Sequence, residues 1–188
     1  SRSVDLGASW NKSQTGSAGY TKILCLLESE SSIYAGTRDG VYRTDNNGDT
    51  WQKMGGTNDT TMYSDIWAMC EHNGIIYASM QLYFDATVYK STNKGSTWIR
   101  CGMTGLPSGL SFIKGLEGSG NNLVAGTDEG IFYSSDGGDN WNSTNAPNIN
   151  VPSMASSGDY VYAAIPSAGG VYRSVNNGIS WSISLPST

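Results

Sequence analysis

Five octapeptides that end in tryptophan recur along this chain at nearly even spacing. They run from Ser3 to Trp10, Thr44 to Trp51, Ser91 to Trp98, Ser134 to Trp141 and Ser174 to Trp181. Their common form is Ser/Thr-x-Asp/Asn-x-Gly-x-Ser/Thr/Asn-Trp. The conserved-type positions are Asp5, Gly7 and Trp10; Asn46, Gly48 and Trp51; Asn93, Gly95 and Trp98; Asp136, Gly138 and Trp141; and Asn176, Gly178 and Trp181. Five of the six tryptophans stand at the last position, and the intervals between them are 41, 47, 43 and 40 residues. A period of that size marks a repeat architecture in which each copy is one supersecondary unit. The residue types explain themselves. An Asp or Asn in a tight turn accepts hydrogen bonds from backbone N–H groups ahead of it. Gly tolerates a positive φ, and Trp buries a large flat ring between neighbouring sheets. The boxes are therefore read as structural staples.

The remainder of each period fits four short strands. A first strand is expected at 22–28, 65–71, 111–116 and 151–156. A second, rich in small residues, follows at 33–37, 76–79, 123–127 and 161–164. A third lies just before the box at 40–43, 87–90, 130–133 and 170–173, and a short outer strand follows the tryptophan. Turns at Asn73-Gly74, Asn121-Asn122 and Gly158-Asp159 join first to second strands as hairpins, and Gly118-Ser119-Gly120 reads as loop. The alternation is that of all-β structure, with no competing helical period.

The boxes resemble the Asp box, or BNR repeat, of sialidases, xyloglucanase-type glycoside hydrolases, sortilin-type receptors and photosystem II assembly factors. The resemblance covers essentially the whole chain. It implies a β-propeller of four-stranded antiparallel blades: blade 1 at 20–55, blade 2 at 56–104, blade 3 at 105–145 and blade 4 at 146–188. Residues 1–19 would be the outer strand of a preceding blade and its connection. One orphan strand leaves its ladder groups unpaired. The expectation is an excerpt of a larger propeller of six to eight or more blades, or alternatively a ring completed by partner chains. The resemblance says little about function, because those families share the motif while doing different things.

Composition narrows the classes. Charged residues are 14% of the 188, against roughly 25% in an average soluble domain, and Gly numbers 24, which suits many tight turns. A net charge of -5 without a Lys/Arg cluster argues against nucleic-acid partners. No apolar run is long enough for a membrane helix. Cys25, Cys70 and Cys101 form no disulfide framework, and Cys25 and Cys70, in apolar runs, are expected as buried free thiols. His72, the one histidine, offers a triad a single candidate without a nucleophile near it. Asp45-x-Asn47-x-Asp49 opens like a calcium loop but has Thr50 at its sixth position and Gly56 at its twelfth, so no metal and no cofactor are expected.

Function is expected on the face opposite the boxes, where the second-to-third strand turns and the inter-blade connections lie. Extra length concentrates there: Met80 to Asp85, the connection Gly55 to Asp65, and Cys101 to Leu110. The candidate ligand-binding residues are Arg38, Asp39, Tyr63, Asp65, Trp67, Tyr83, Phe84, Asp85, Asp128 and Glu129, since aromatics beside carboxylates suit a sugar or peptide groove. Equally, Tyr83 and Phe84 could cover a blade seam and the acids be solvated turn residues. Arg2, Arg43 and Arg173 share one slot beside the box, with Lys90 and Tyr133 in the others. That leaves no sialidase-type arginine triad, and no catalytic set can be named. The leading expectation is a non-catalytic binding or assembly module for a protein or glycan. The alternative is a fragment of a secreted xyloglucanase- or sialidase-like hydrolase. A secreted or extracytoplasmic setting is expected, with the remaining blades coming from the parent chain or from partner subunits.

Overall fold

The computed structural model describes residues 3–11, 22–55, 64–82 and 85–186. The described residues form four antiparallel sheets, each of four strands in sequence order, as the period predicts. The first holds β1 (Ile23–Ser29), β2 (Ser32–Thr37), β3 (Gly40–Thr44) and β4 (Gln52–Lys53). The second holds β5 (Asp65–His72), β6 (Ile75–Leu82), β7 (Asp85–Ser91) and β8 (Ile99–Arg100). The third holds β9 (Ile113–Ser119), β10 (Asn122–Thr127), β11 (Gly130–Ser134) and β12 (Asn142–Ser143). The fourth holds β13 (Ser153–Ser157), β14 (Tyr160–Ile165), β15 (Gly170–Ser174) and β16 (Ser182–Pro186), with a single 3-10 turn at Pro166–Ala168.

Each Trp-ended box makes the corner between a third and a fourth strand. In the corner at 91–98, Ser91 Oγ accepts from Gly95 N at 2.8 Å and donates to Asn93 Oδ1 at 3.0 Å, which also accepts from Thr97 N at 2.8 Å. The same three bonds recur in the other four corners. Glycine is required at two levels. Gly178 has φ +82°, and a Cβ there would run into Val124 of the third sheet. The residue before each corner glycine is left-handed as well: Leu6, Asn47, Lys94, Gly137 and Asn177 have φ of 56°, 55°, 58°, 73° and 57°. Two successive positive φ values are the signature of a type I′ turn.

The core is not inside any sheet but between sheets. One cluster joins Tyr34 and Val41 of the first sheet to Ile66, Met69 and Trp98 of the second. Another joins Tyr77 and Val88 to Ile113, Leu116 and Trp141, and a third joins Val124 and Ile131 to Val151, Val161 and Trp181. The corners of the second, third and fourth sheets thus dock on the sheet before them, and Trp98, Trp141 and Trp181 are only 7%, 4% and 5% exposed. The tryptophan Nε1–H groups of Trp141 and Trp181 donate to their own corner glycine carbonyls at 3.1 and 3.0 Å. Polar ties follow the same route. Tyr34 OH donates to Lys94 O at 3.2 Å, Lys90 Nζ to Gly137 O at 3.3 Å, and Asn122 Nδ2 to Asn177 O at 3.0 Å. The corner at 3–10 closes its own turn, yet Trp10 remains 65% exposed, because no described sheet lies in front of it.

Several local expectations need correction. Met80 to Asp85 is not an extended loop: β6 and β7 continue to the pair Leu82↔Asp85, so the extra residues lengthen the ladder. The third hairpin turns at Gly120 and Asn121 instead of Asn121-Asn122, since Asn122 pairs with Ser119, and Gly118 and Ser119 belong to β9. The last outer strand follows its tryptophan as β16, Ser182–Pro186, because the tryptophan completes the corner before the ladder begins. The stretch 101–110 is the long connection expected, anchored by packing. Cys101 and Leu110 are buried, and a Cβ on Gly105 would strike the Trp141 carbonyl oxygen. The three thiols are free, Cys70 and Cys101 buried and Cys25 half-buried. Among the described residues no helix is long and apolar enough to cross a membrane.

Candidate functional site

The first strands of the four sheets, β1, β5, β9 and β13, stand side by side and line a groove of 520 Å³. Three of them carry a bulge at the same place. In β1 the pairing steps from Ile23↔Thr37 to Cys25↔Gly36, in β5 from Ile66↔Met80 to Ala68↔Ser79, and in β9 from Ile113↔Thr127 to Gly115↔Gly126. The skipped residues are Leu24, Trp67 and Lys114, and the matching position before β13 is Pro152. All four line the groove. A bulge leaves its extra residue out of the ladder and re-aims its side chain. One repeated backbone device therefore delivers three different side chains to one surface, and Pro152 joins them from the start of β13.

Trp67 is the centre of this surface. Its ring meets Phe112 edge-on with centroids 5.3 Å apart, and Lys114 Nζ lies 4.4 Å from the Phe112 centroid and 5.7 Å from that of Trp67. The indole N–H donates to Gln81 Oε1 at 3.2 Å. Ser79 locks the bulge: its hydroxyl accepts from Ala68 N at 2.9 Å and donates to Ile113 O of the next sheet at 2.7 Å. Ser64 Oγ caps the same end of the sheet by donating to Gln81 O.

The anticipated site residues divide into three groups. Arg38, Asp65, Trp67 and Asp128 lie toward the strand ends away from the corners, and Trp67 alone of them lines the groove. Arg38 Nε lies 3.7 Å from Asp65 Oδ2, tying the first sheet to the second. Asp128 accepts from Ser111 N at 3.0 Å and Phe112 N at 3.4 Å, and so holds Phe112 beside Trp67. A second group stays within its own sheet. Asp39 pairs with Lys53 at 2.8 Å and accepts from Tyr42 OH at 2.8 Å; partial burial works to raise its pKa, but these two partners prevail and hold it below the usual value. Asp85 and Glu129 are exposed, Asp85 opening β7 and Glu129 in the β10–β11 turn, where its N–H donates to Thr127 Oγ1 at 3.0 Å. Tyr63, Tyr83 and Phe84 lie outside the described residues.

Phe112, Lys114, Gln81 and Glu117 were not anticipated. For Lys114 the signal available was the repeat itself: the residue before the small residue of each first strand, Cys25, Ala68, Gly115 or Ser153, occupies the Trp67 slot. Glu117 also lines the groove. Burial raises its pKa, opposed by hydrogen bonding from Ser156, whose Oγ lies 2.7 Å away. Other chemistry is accounted for structurally. The His72 ring fills the space beside Gly118, where a Cβ would collide with it, and burial lowers its pKa. The Asp45 carboxylate accepts from Ser32 at 2.6 Å and from Arg43 at 2.7 Å.

Solved structures sharing this arrangement include an ancestral GH74 enzyme, 23% identical with a TM-score of 0.63, over 88% of this chain and 24% of that one. A GH74 xyloglucanase from Xanthomonas campestris is 19% identical with a TM-score of 0.62, over 86% of this chain and 30% of that one. The extracellular domain of a one-component system from B. thetaiotaomicron is 13% identical with a TM-score of 0.67, over 93% of this chain and 25% of that one. The four sheets are propeller blades. They are blades 1 to 4 in chain order, and the chain spans under a third of each of these structures. No family model matches the chain, and neither does any curated protein.

Proposed function

We propose that these blades form a non-catalytic binding module that takes a glycan along the axial groove, at the end opposite the Trp-ended corners. The observation that carries this reading is the bulge-presented Trp67 beside Phe112, Lys114 and Gln81. Such a set offers an apolar plane flanked by a cation and an amide, the mix by which concave sites hold and orient a polar ligand. The carboxylates support binding over hydrolysis. Asp39, Asp65 and Asp128 each already have partners within the protein. An extracytoplasmic setting accords with the extracellular domain among the similar structures.

Glu117 favours a second reading, a portion of a glycoside hydrolase. A groove carboxyl with a raised pKa is the form a general acid takes. Hydrolysis needs a second carboxylate at roughly 5–9.5 Å, and Glu117 is the single acid among the groove-lining residues. The partner would have to come from outside the described residues.

Calorimetric titration and a glycan array test the proposal, with xyloglucan oligosaccharides as the first probe. Trp67→Ala is expected to weaken binding at least about tenfold, the loss of roughly 1.4 kcal/mol, and Lys114→Ala to weaken it less. Binding unchanged by Trp67→Ala overturns the site. Turnover of aryl glycosides or plant polysaccharides that disappears in Glu117→Gln overturns the non-catalytic reading instead.

A further inference from the structure

We propose that the glycan held at Trp67 is an acidic one, whose carboxylate or sulfate group meets the Lys114 ammonium, an inference that rests on the glycan reading and names the class of sugar taken. Arg38, Arg43, Lys53, Lys90 and Lys94 each pair with a carboxylate of the chain. Lys114, half-buried and lining the groove, has no carboxylate within ion-pair distance among the described residues. Two rings hold it instead, with Nζ 4.4 Å from the Phe112 centroid and 5.7 Å from that of Trp67. Aromatic faces attract an ammonium through their quadrupole but leave its charge uncancelled. A partly desolvated cation without a counter-ion is what an incoming anion satisfies, through a charge-assisted hydrogen bond.

The groups around Lys114 suit the same occupant. Gln81 gives its oxygen to the Trp67 indole, which leaves its amide NH2, two further donors, without a partner among the described residues. Asp65 faces Arg38 at 3.7 Å and Asp128 accepts from Ser111 N and Phe112 N, and neither lines the groove. Glu117 is the single acid among the groove-lining residues. It stands three residues further along β9, roughly 10 Å of strand from Lys114. Its carboxyl has Ser156 Oγ at 2.7 Å, and burial favours its uncharged form. The groove thus keeps a cation beside Trp67 apart from a carboxyl nearer the corners. An acidic group at the edge of a sugar laid on Trp67 is within reach of an ammonium 5.7 Å from the indole centroid. Trp67, Gln81, Phe112 and Lys114 all belong to the second and third sheets or the segment joining them, and both sheets have described neighbours on each side. The net charge of -5 repels an anion at long range, so the preference has to come from this one contact.

Calorimetric titration of the 188-residue chain with matched sugar pairs tests this. One pair is an oligogalacturonate and its carboxyl-reduced neutral form; the other is a sulfated oligosaccharide and its desulfated form. The acidic member of at least one pair is expected to bind at least about fivefold more tightly, the worth of one charge-assisted contact. Lys114→Gln should erase that ratio and Lys114→Arg should keep it, while added salt narrows it in the parent. A gain confined to the oligogalacturonate names a carboxylate as the anion, one confined to the sulfated sugar names a sulfate, and either bears the proposal out. Equal affinity within both pairs, with Trp67→Ala weakening every member, overturns the acidic preference and leaves the glycan reading standing. A ratio that survives Lys114→Gln overturns it as well. No binding of any member, xyloglucan oligosaccharides included, overturns both readings.

Discussion

An Asp and an Asn at this place in a corner bond the side chain four residues on in opposite directions. Asn46, Asn93 and Asn176 donate through Nδ2 to Thr50, Thr97 and Ser180 hydroxyls at 2.9, 2.8 and 2.9 Å. Asp136 instead accepts from Asn140 Nδ2 at 2.8 Å and Asp5 from the Ser9 hydroxyl at 2.6 Å. Side-chain donation from Asn140 and from Ser9 is the largest cause that lowers these two carboxyls from 3.8 to about 2. A carboxyl depressed in the folded state contributes stability that is whole above 3.8 and fades as pH falls toward about 2. Asp136→Asn should therefore leave the melting temperature at neutral pH nearly unchanged, with the Asn140 amide turning its oxygen inward, and should flatten its acid-side decline. A scan by circular dichroism from about pH 5 to about pH 2 reads this directly; an acid limb as steep as the parent's would refute it. The glycine of each corner is legible in the sequence. The left-handed residue before it is not, because Leu6 and Lys94 are side chains with no bias toward φ of 56° or 58°.

At the level of the strand, the bulge decides what the groove presents. A one-residue slip sends a side chain to the other face of a sheet, so Trp67 reaches the groove only while β5 keeps its irregular step between Ile66 and Ala68. Ser79, 1% exposed, holds that step by bonding Ala68 N and Ile113 O. Ser79→Ala strands a buried donor and a buried acceptor and should cost about 2 kcal/mol. It should also weaken glycan binding with Trp67 untouched, whereas an Ala at Asn142, on the exposed β12, should do neither. Chemical denaturation and titration on the same samples check both halves; stability lost with affinity intact would detach the bulge from the site. This device also explains why the site was only partly legible. Periodicity exposes strands and corners because every copy repeats them. Trp67 drew notice as a tryptophan outside the corners, but Phe112, Lys114 and Gln81 have ordinary strand identities, and only the register shows that they meet. Likewise, Met80 to Asp85 reads as surplus loop until the pairs Gln81↔Ala86 and Leu82↔Asp85 turn it into ladder.

Across the whole molecule, stability resides in contacts between blades, as in other quasi-one-dimensional arrays where each repeat touches only its neighbours. Blades 2 and 3 have a described blade on both sides; blades 1 and 4 have one. The exposure of the first strands records the difference: Leu116 is 2% exposed and Met69 8%, against 64% for Leu26. Corner tryptophans act at these joints, and removing a buried ring of that kind costs about 3–5 kcal/mol, enough to decouple one blade from the next. Hydrogen exchange should therefore be slowest in β6 and β10 and fastest in β1 and β13, the latter exposed at most of its positions.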